Sequence, residues 1–311
     1  MDINIYLNKF FHLLNKPSRK SITDEKRIFG REVETSLYTD ANHDLTFYNT
    51  KSSILFHTYW CGYFDRKQCL SIKSLLATQN SYSYNVWLWI DEKDRGINKN
   101  NPWLEQIDSR IEIKYYDPQR DITEDIFKPV KFLFMENQNL AFRADGFRMW
   151  VLHRFGGVWF DLDIMFLRDL NDLLKGPEFV YAWEKCNYAN NALIYMRNGS
   201  YINEYLAKKI ARKCTTQPWS LFNYSDRKLR NLCVYPASLF DPVWVGNKGE
   251  YQIESFEDFF VKSQDPSTKI MDLFPYSYAY HWHNCWKTKI EANSYFELFE
   301  KEFNDLIGIM D

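Results

Sequence analysis

Several features are missing from this chain of 311 residues, and each absence narrows its function. No stretch approaches the roughly 18 uninterrupted apolar residues that read as a membrane span, so no span is expected. There is no basic excess: Lys+Arg number 39 against Asp+Glu 41, a net charge of −2. Nucleic-acid binding needs clustered positive charge against phosphate, so no nucleic-acid partner is expected. The six cysteines, Cys61, Cys69, Cys186, Cys214, Cys233 and Cys285, include no C-x-x-C pair. That argues against a structural zinc site and for reduced thiols in a cytoplasmic setting. The opening MDINIYLNKFFHLLNK starts acidic and lacks both a basic n-region and a small-residue cleavage site, so it does not read as a signal peptide. It reads as a helix packed on the domain, or as an amphipathic helix meeting a membrane or partner through residues 3–14. Repeats, linkers and low-complexity runs are absent too. The expected partition is an N-terminal extension over residues 1–50 and one domain over 51–311.

Aromatic residues are abundant, at 18%, with 11 Trp, 21 Tyr and 24 Phe. Such rings suit platforms for sugar or base faces. Ser53–Tyr59 reads as a buried strand, and Asp65 caps a helix over about 66–79. Val86–Ile90 is a second strand, Pro102–Ile107 a short helix, and Ile111–Tyr115 a third strand. Further strands are expected at Phe179–Trp183 and Ala192–Met196, with helices over Ser200–Lys213 and about 291–308. This alternation predicts an α/β fold, a mostly parallel central sheet flanked by helices. Ligands on such sheets sit at the carboxyl ends of the strands. His57, Trp60, Asp91, Asp161 and Asp163 all fall at predicted strand ends.

The densest signal is residues 141–170. Leu140, Phe147, Val151 and Phe155 recur at helical spacing, and Gly156-Gly157 stops the helix. From Val158 to Ile164 the period becomes two, which predicts a strand with Trp159, Asp161 and Asp163 on one face. Two carboxylates roughly 7 Å apart by strand rise cannot both be buried without a counter-charge. They suit a divalent cation that also holds a phosphate. Asp145 and Arg148, at i and i+3, share a helix face that leads into this strand.

The spacing D-x2-R-x7-GG-x-W-x-D-x-D, carried by Asp145, Arg148, Gly156, Gly157, Trp159, Asp161 and Asp163, resembles the DXD-containing sugar transferases. That family includes yeast mannosyltransferases and bacterial capsule-type transferases, and the glucosylating domains of large clostridial toxins share its core. His57-x-x-Trp60 resembles the family's opening strand, and Trp89-Ile90-Asp91 its strand-end aspartate. Asn191-Ala192, followed by a strand and Gly199, resembles the segment with a donor-site asparagine. Phe240-Asp241-Pro242 resembles a family turn, and His281-Trp282-x-x-Cys285-Trp286 its H-W-x-x-S-W motif, with Cys285 in place of Ser. The resemblance spans about residues 52–288.

It implies a GT-A fold and transfer of a sugar from a nucleotide-diphosphate sugar to a glycan or other hydroxyl acceptor, with retention. A UDP-sugar is favoured over a GDP-sugar. It implies Mn²⁺ or Mg²⁺ on Asp161 and Asp163, with His281 and Asn284 closing the site. His57, Trp60, Asp91, Asp145, Arg148, Asp161, Asn191 and Trp286 are the expected nucleotide and donor contacts. Asp145 and Arg148 would grip sugar hydroxyls, and the Trp286 indole would donate to the leaving phosphate. Glu184 and Asp241 are candidate acceptor-side groups, and His283 is expected to be exposed or structural. A metal-dependent nucleotidyl or phosphoryl transferase would need a phosphate loop near the first strand, where FHTYWCGYFDRK offers Arg66 and Lys67. A non-catalytic glycan-binding protein on the same fold is the remaining alternative.

Overall fold

The computed structural model describes residues 53–309 apart from 80–82, 124, 136–138, 184–185, 246–251, 264 and 266. The extension over residues 1–50, with the contact assigned to 3–14, and Glu184 lie outside the described residues. A seven-stranded sheet forms the centre. It contains β1 (Ile54–Trp60), β2 (Tyr84–Asp91), β3 (Glu112–Tyr116), β4 (Gly157–Phe160), β6 (Phe179–Ala182), β7 (Ala189–Met196) and β8 (Cys233–Tyr235), in the order β3-β2-β1-β4-β7-β6-β8. All neighbours pair in parallel except those of β7, which runs antiparallel to both β4 and β6. The reason is local: β6 and β7 are adjacent in sequence, and a connection that short cannot make the crossover that parallel pairing requires.

Helix α1 (Arg66–Thr78) opens with a capping box, the Asp65 side chain accepting from the helix start while Gln68 accepts from the Asp65 N–H at 2.8 Å. It packs with α4 (Tyr295–Ile307), and Arg66 and Lys73 of α1 both reach Glu300. Helix α2 (Leu140–Phe155) lies on the opposite face with α3 (Tyr201–Lys213). Sheet residues therefore feed two cores, one around Phe56, Val158 and Phe160, the other around Trp89, Phe147 and Trp159. Gly156 and Gly157 have φ of +67° and +102°, and a Cβ there would collide with the Asn198 backbone and the Leu55 carbonyl. The Gly-Gly pair thus ends α2 and lets β4 enter directly beside β1.

One expected element differs. The strand predicted to run to Ile164 stops at Phe160. Asp161, Leu162 and Asp163 form a turn, closed by the Ile164 N–H donating to the Asp161 carbonyl at 3.0 Å. The chain then leaves the main sheet as β5 (Ile164–Phe166), which pairs antiparallel with β9 (Ala279–His281), setting Ile164 opposite His281. Leu162 is buried, so the alternation of apolar residues continues through a turn and mimics a strand. Among the described residues no helix is long and apolar enough to cross a membrane.

Candidate active site

The turn after β4 gathers two groups of side chains. On the first side, Arg148 reaches from the middle of α2 and lies 3.0 Å from Asp161 Oδ1 and 3.6 Å from Asp145 Oδ1. Its guanidinium also donates to the Asn191 carbonyl and lies over the Trp159 ring, 5.3 Å from the centroid. The Trp159 indole donates to Asp161 Oδ1 at 2.7 Å, and the Asn191 amide to Asp145 Oδ1 at 2.9 Å. Asp145, Arg148, Asp161 and Asn191 are therefore one connected network. Asp161 keeps about 26% of its side-chain surface open. Burial raises its carboxyl pKa against the pull of Arg148, and the Asp163 charge adds to the rise. Burial likewise raises Asp145, opposed by Arg148 and Asn191.

On the second side, Asp163 Oδ2 accepts the Asn284 backbone N–H at 2.8 Å and lies 3.2 Å from His281 Nε2. His281 Nδ1 is 3.0 Å from the Tyr181 hydroxyl and 3.8 Å from Asp241 Oδ2. His283 Nε2 is 2.6 Å from the same Asp241 oxygen, and the two imidazoles stack with centroids 3.8 Å apart. Asp241, His281 and His283 offer ligand atoms all within 4.8 Å of one another. Asp241 Oδ1 is buried and has no partner. Burial opposes charging of His281, yet the Asp163, Asp241 and Asp161 carboxylates raise its pKa to about 9. Burial would also raise Asp163, but His281 and the Asn284 N–H hold it below the ordinary carboxylate value. Next to Asn284, Trp286 meets Trp60 at the end of β1 edge to face, with centroids 5.0 Å apart.

Four expected contacts are placed differently. His57 is fully buried in mid-strand, with Nε2 2.9 Å from the Gly156 carbonyl and Nδ1 accepting the Trp89 indole at 3.4 Å. Both ring nitrogens are engaged, burial lowers its pKa to about 4, and it is a core residue, not a nucleotide contact. Asp91 does sit at the end of β2, but its carboxylate accepts Tyr59 and Arg143, each at 2.6 Å, so it braces that corner instead of facing a ligand. Asn284 meets Asp163 through its backbone, while its side-chain oxygen accepts the Trp286 indole N–H at 3.0 Å. The Trp286 donor expected at a phosphate is thus held by Asn284. His283, expected to be exposed or structural, is drawn into the site by Asp241. The sequence signal for that pair was present but weak: an H-x-H at the end of β9 and an aspartate in the turn Phe240-Asp241-Pro242.

Residues 65–180 match the family model described as a glycosyltransferase sugar-binding region containing a DXD motif, a span that includes Asp145, Arg148, Asp161 and Asp163. No curated protein sequence matches the chain. Similar solved structures include the PaToxG glycosyltransferase, with 17% identity over 63% of this chain and 76% of that one at a TM-score of 0.43. They also include the bifunctional glycosyltransferase WbbM, apo, with 12% identity over 83% of this chain and 50% of that one at a TM-score of 0.46. Mouse xyloside xylosyltransferase 1, apo, shows 12% identity over 76% of this chain and 100% of that one at a TM-score of 0.45. The chain spans half the length of WbbM.

Proposed function

We propose, from the premise that this chain belongs over residues 65–180 to the DXD-containing glycosyltransferases, that it moves a sugar from a nucleotide-diphosphate sugar to a hydroxyl acceptor, with retention and a divalent cation. The observation that carries this reading is the convergence at one turn of Asp161, joined to Arg148, and Asp163, joined to His281. Four carboxylates, Asp145, Asp161, Asp163 and Asp241, gather there around the Arg148 guanidinium and the His281 ring. An unpartnered buried oxygen on Asp241 and an open face on Asp161 fit a site short of positive charge. Asp161, Asp163 and His281 would hold the cation, with the Asn284 side-chain oxygen a further donor. Oxygen donors with an imidazole suit Mn²⁺, and Mg²⁺ less well. When bound, such a cation supplies Lewis-acid neutralisation of the departing diphosphate.

The chain's own residues do the rest. Asp145, locked by Arg148 and Asn191, presents a rigid acceptor for donor-sugar hydroxyls. Trp60 and Trp286, packed edge to face, would form an aromatic wall for the nucleoside end of a UDP-sugar, the donor that the resemblance favours. Rotation of the Asn284 side chain would free the Trp286 indole to donate to a phosphate oxygen. Asp163, held by the Asn284 N–H, would present its carboxylate to the cation without reorganisation.

Incubating the protein with UDP- and GDP-sugars and Mn²⁺, without acceptor, tests the reading. Free nucleotide diphosphate is expected from one donor class and should disappear with chelator. Folded, metal-loaded protein that releases nucleotide from no donor would sink it. The anomeric configuration of a transferred sugar, read by NMR, decides retention.

A further inference from the structure

Beyond the residues that face the donor, we infer that Lys67 is a positioning residue: its ammonium ties the Cys285–Thr288 turn in the shape that brings Asn284 to Asp163 and Trp286 to Trp60. The inference rests on the donor-site reading above. Lys67 lies in the first turn of α1 and is only 7% exposed. Its Nζ donates to three carbonyls of one short turn: Cys285, Thr288 at 2.6 Å and Trp286 at 3.3 Å. A lysine ammonium has three protons, and three carbonyls take them. The Phe260 ring lies beneath it, 3.9 Å from Nζ to the centroid.

Within the turn the Trp286 N–H donates to the Asn284 carbonyl at 2.6 Å, and Cys285 and Trp286 pack against the core; the ammonium is what joins the turn to α1. Cys285–Lys287 is a single 3-10 turn whose one internal bond runs from the Thr288 N–H to the Cys285 carbonyl at 3.3 Å, and the ammonium supplies the Trp286 and Thr288 carbonyls with a donor and Cys285 with a second one. His283 and Asn284, just before it, have φ of +47° and +60°, a region that residues other than glycine enter at a cost. Between the turn and the start of α1 lies a cavity of about 260 Å³ lined by Asp65, Lys67, Trp103, Trp286, Thr288 and Ile290. On that side the turn is tethered more than packed. The residues it presents are those of the site: the Asn284 N–H on Asp163, and the Trp286 ring against Trp60. The sequence places Arg66 and Lys67 side by side, but they part company. Arg66 pairs with Glu297 and Glu300 of α4, while Lys67 turns to the loop.

The test uses the full chain with Lys67→Met, which keeps the length and removes the donors, and Lys67→Arg, which restores donors. Two readouts are taken: amide hydrogen exchange over residues 284–290, and donor KM and kcat in Mn²⁺-dependent release of nucleotide from the donor sugar. Lys67→Met should speed exchange at the Asn284 amide and raise donor KM by about tenfold or more, with kcat changed much less. Lys67→Arg should recover most of the KM. If Lys67→Met lowers the melting temperature alone, with KM and Asn284 exchange unmoved, Lys67 is a structural tie and the inference is overturned. If the wild type releases no nucleotide, the donor reading fails separately, and the exchange at Asn284 still decides for or against the tether.

Discussion

Two polar groups stand at the carboxyl ends of neighbouring strands and behave differently. At the ends of β1 and β2, Tyr59, Asp91 and Arg143 close on one another, and both Asp91 oxygens are taken. Apart from the Arg143 Nε, the hydrogen bonds of this trio are made within the protein. At the end of β4, Asp161, Asp163, Asp241, His281 and His283 crowd together, Asp161 stays partly open and Asp241 keeps a bare buried oxygen. The residue types are similar and both groups sit where an α/β sheet presents its ligand side. What separates them is exposure. Each group keeps one bare buried atom, Arg143 Nε and Asp241 Oδ1, so the clearer difference is that both Asp91 oxygens are bonded and buried whereas Asp161 keeps an open face, where the proposed cation would enter.

The sharpest way to break this comparison is to substitute one aspartate from each group. Asp163→Asn should cut metal-dependent turnover by about a thousandfold, the equivalent of the several kcal/mol a Lewis acid contributes. It should also erase the Mn²⁺-induced rise in melting temperature while the metal-free protein stays folded. Normal turnover by this variant would mean that the β4 turn is not the cation site. Asp91→Asn should do the reverse. It leaves Arg143 charged, buried and without its partner, so urea unfolding should show a loss of about 3–5 kcal/mol. The activity of the protein that remains folded should keep its metal dependence. A stable Asp91→Asn with a weakened donor affinity would show instead that Asp91 faces the ligand.

Much of this division was legible beforehand, for reasons that are local. Helix α2, the Gly-Gly stop and the Asp145–Arg148 face follow from periods of 3.6 and from glycine's access to positive φ. The carboxylates of Asp161 and Asp163 stood out because alternation placed charge where an apolar core was expected. What the chain did not reveal locally is who meets them. The Asn284 N–H reaches Asp163 across 121 positions, and Tyr181 reaches His281 across 100. Such contacts depend on β5 leaving the main sheet for β9, and the buried Leu162 hid that departure by prolonging the alternation. His57 was misplaced for a related reason. A histidine near a strand end reads as a ligand contact, but the approach of β4 beside β1 supplies the Gly156 carbonyl that satisfies it.

That histidine provides the finest test, because acid acts on it against Asp145 and Asp161 beside the β4 turn and together with Asp163 and His283. Burial lowers His57 from 6.5 to about 4, so the unfolded chain binds a proton that the folded protein refuses. Stability from this source is present above pH 6.5 and is lost as pH falls towards 4, by about 3 kcal/mol in all. His283, also lowered, acts in the same direction. Asp145 and Asp161 are raised, so the folded protein takes up their protons first and gains stability as the pH falls below their folded values. Total acid sensitivity of the metal-free protein therefore mixes these contributions, and the difference between two proteins isolates that of His57. His57→Gln keeps a donor for the Gly156 carbonyl without a titrating ring. Its urea stability, compared with the wild type at pH 7 and pH 4.5, should fall less steeply. Equal slopes for the two proteins would mean that the ring is reached by water in the folded state and that β4 does not seal it beside β1.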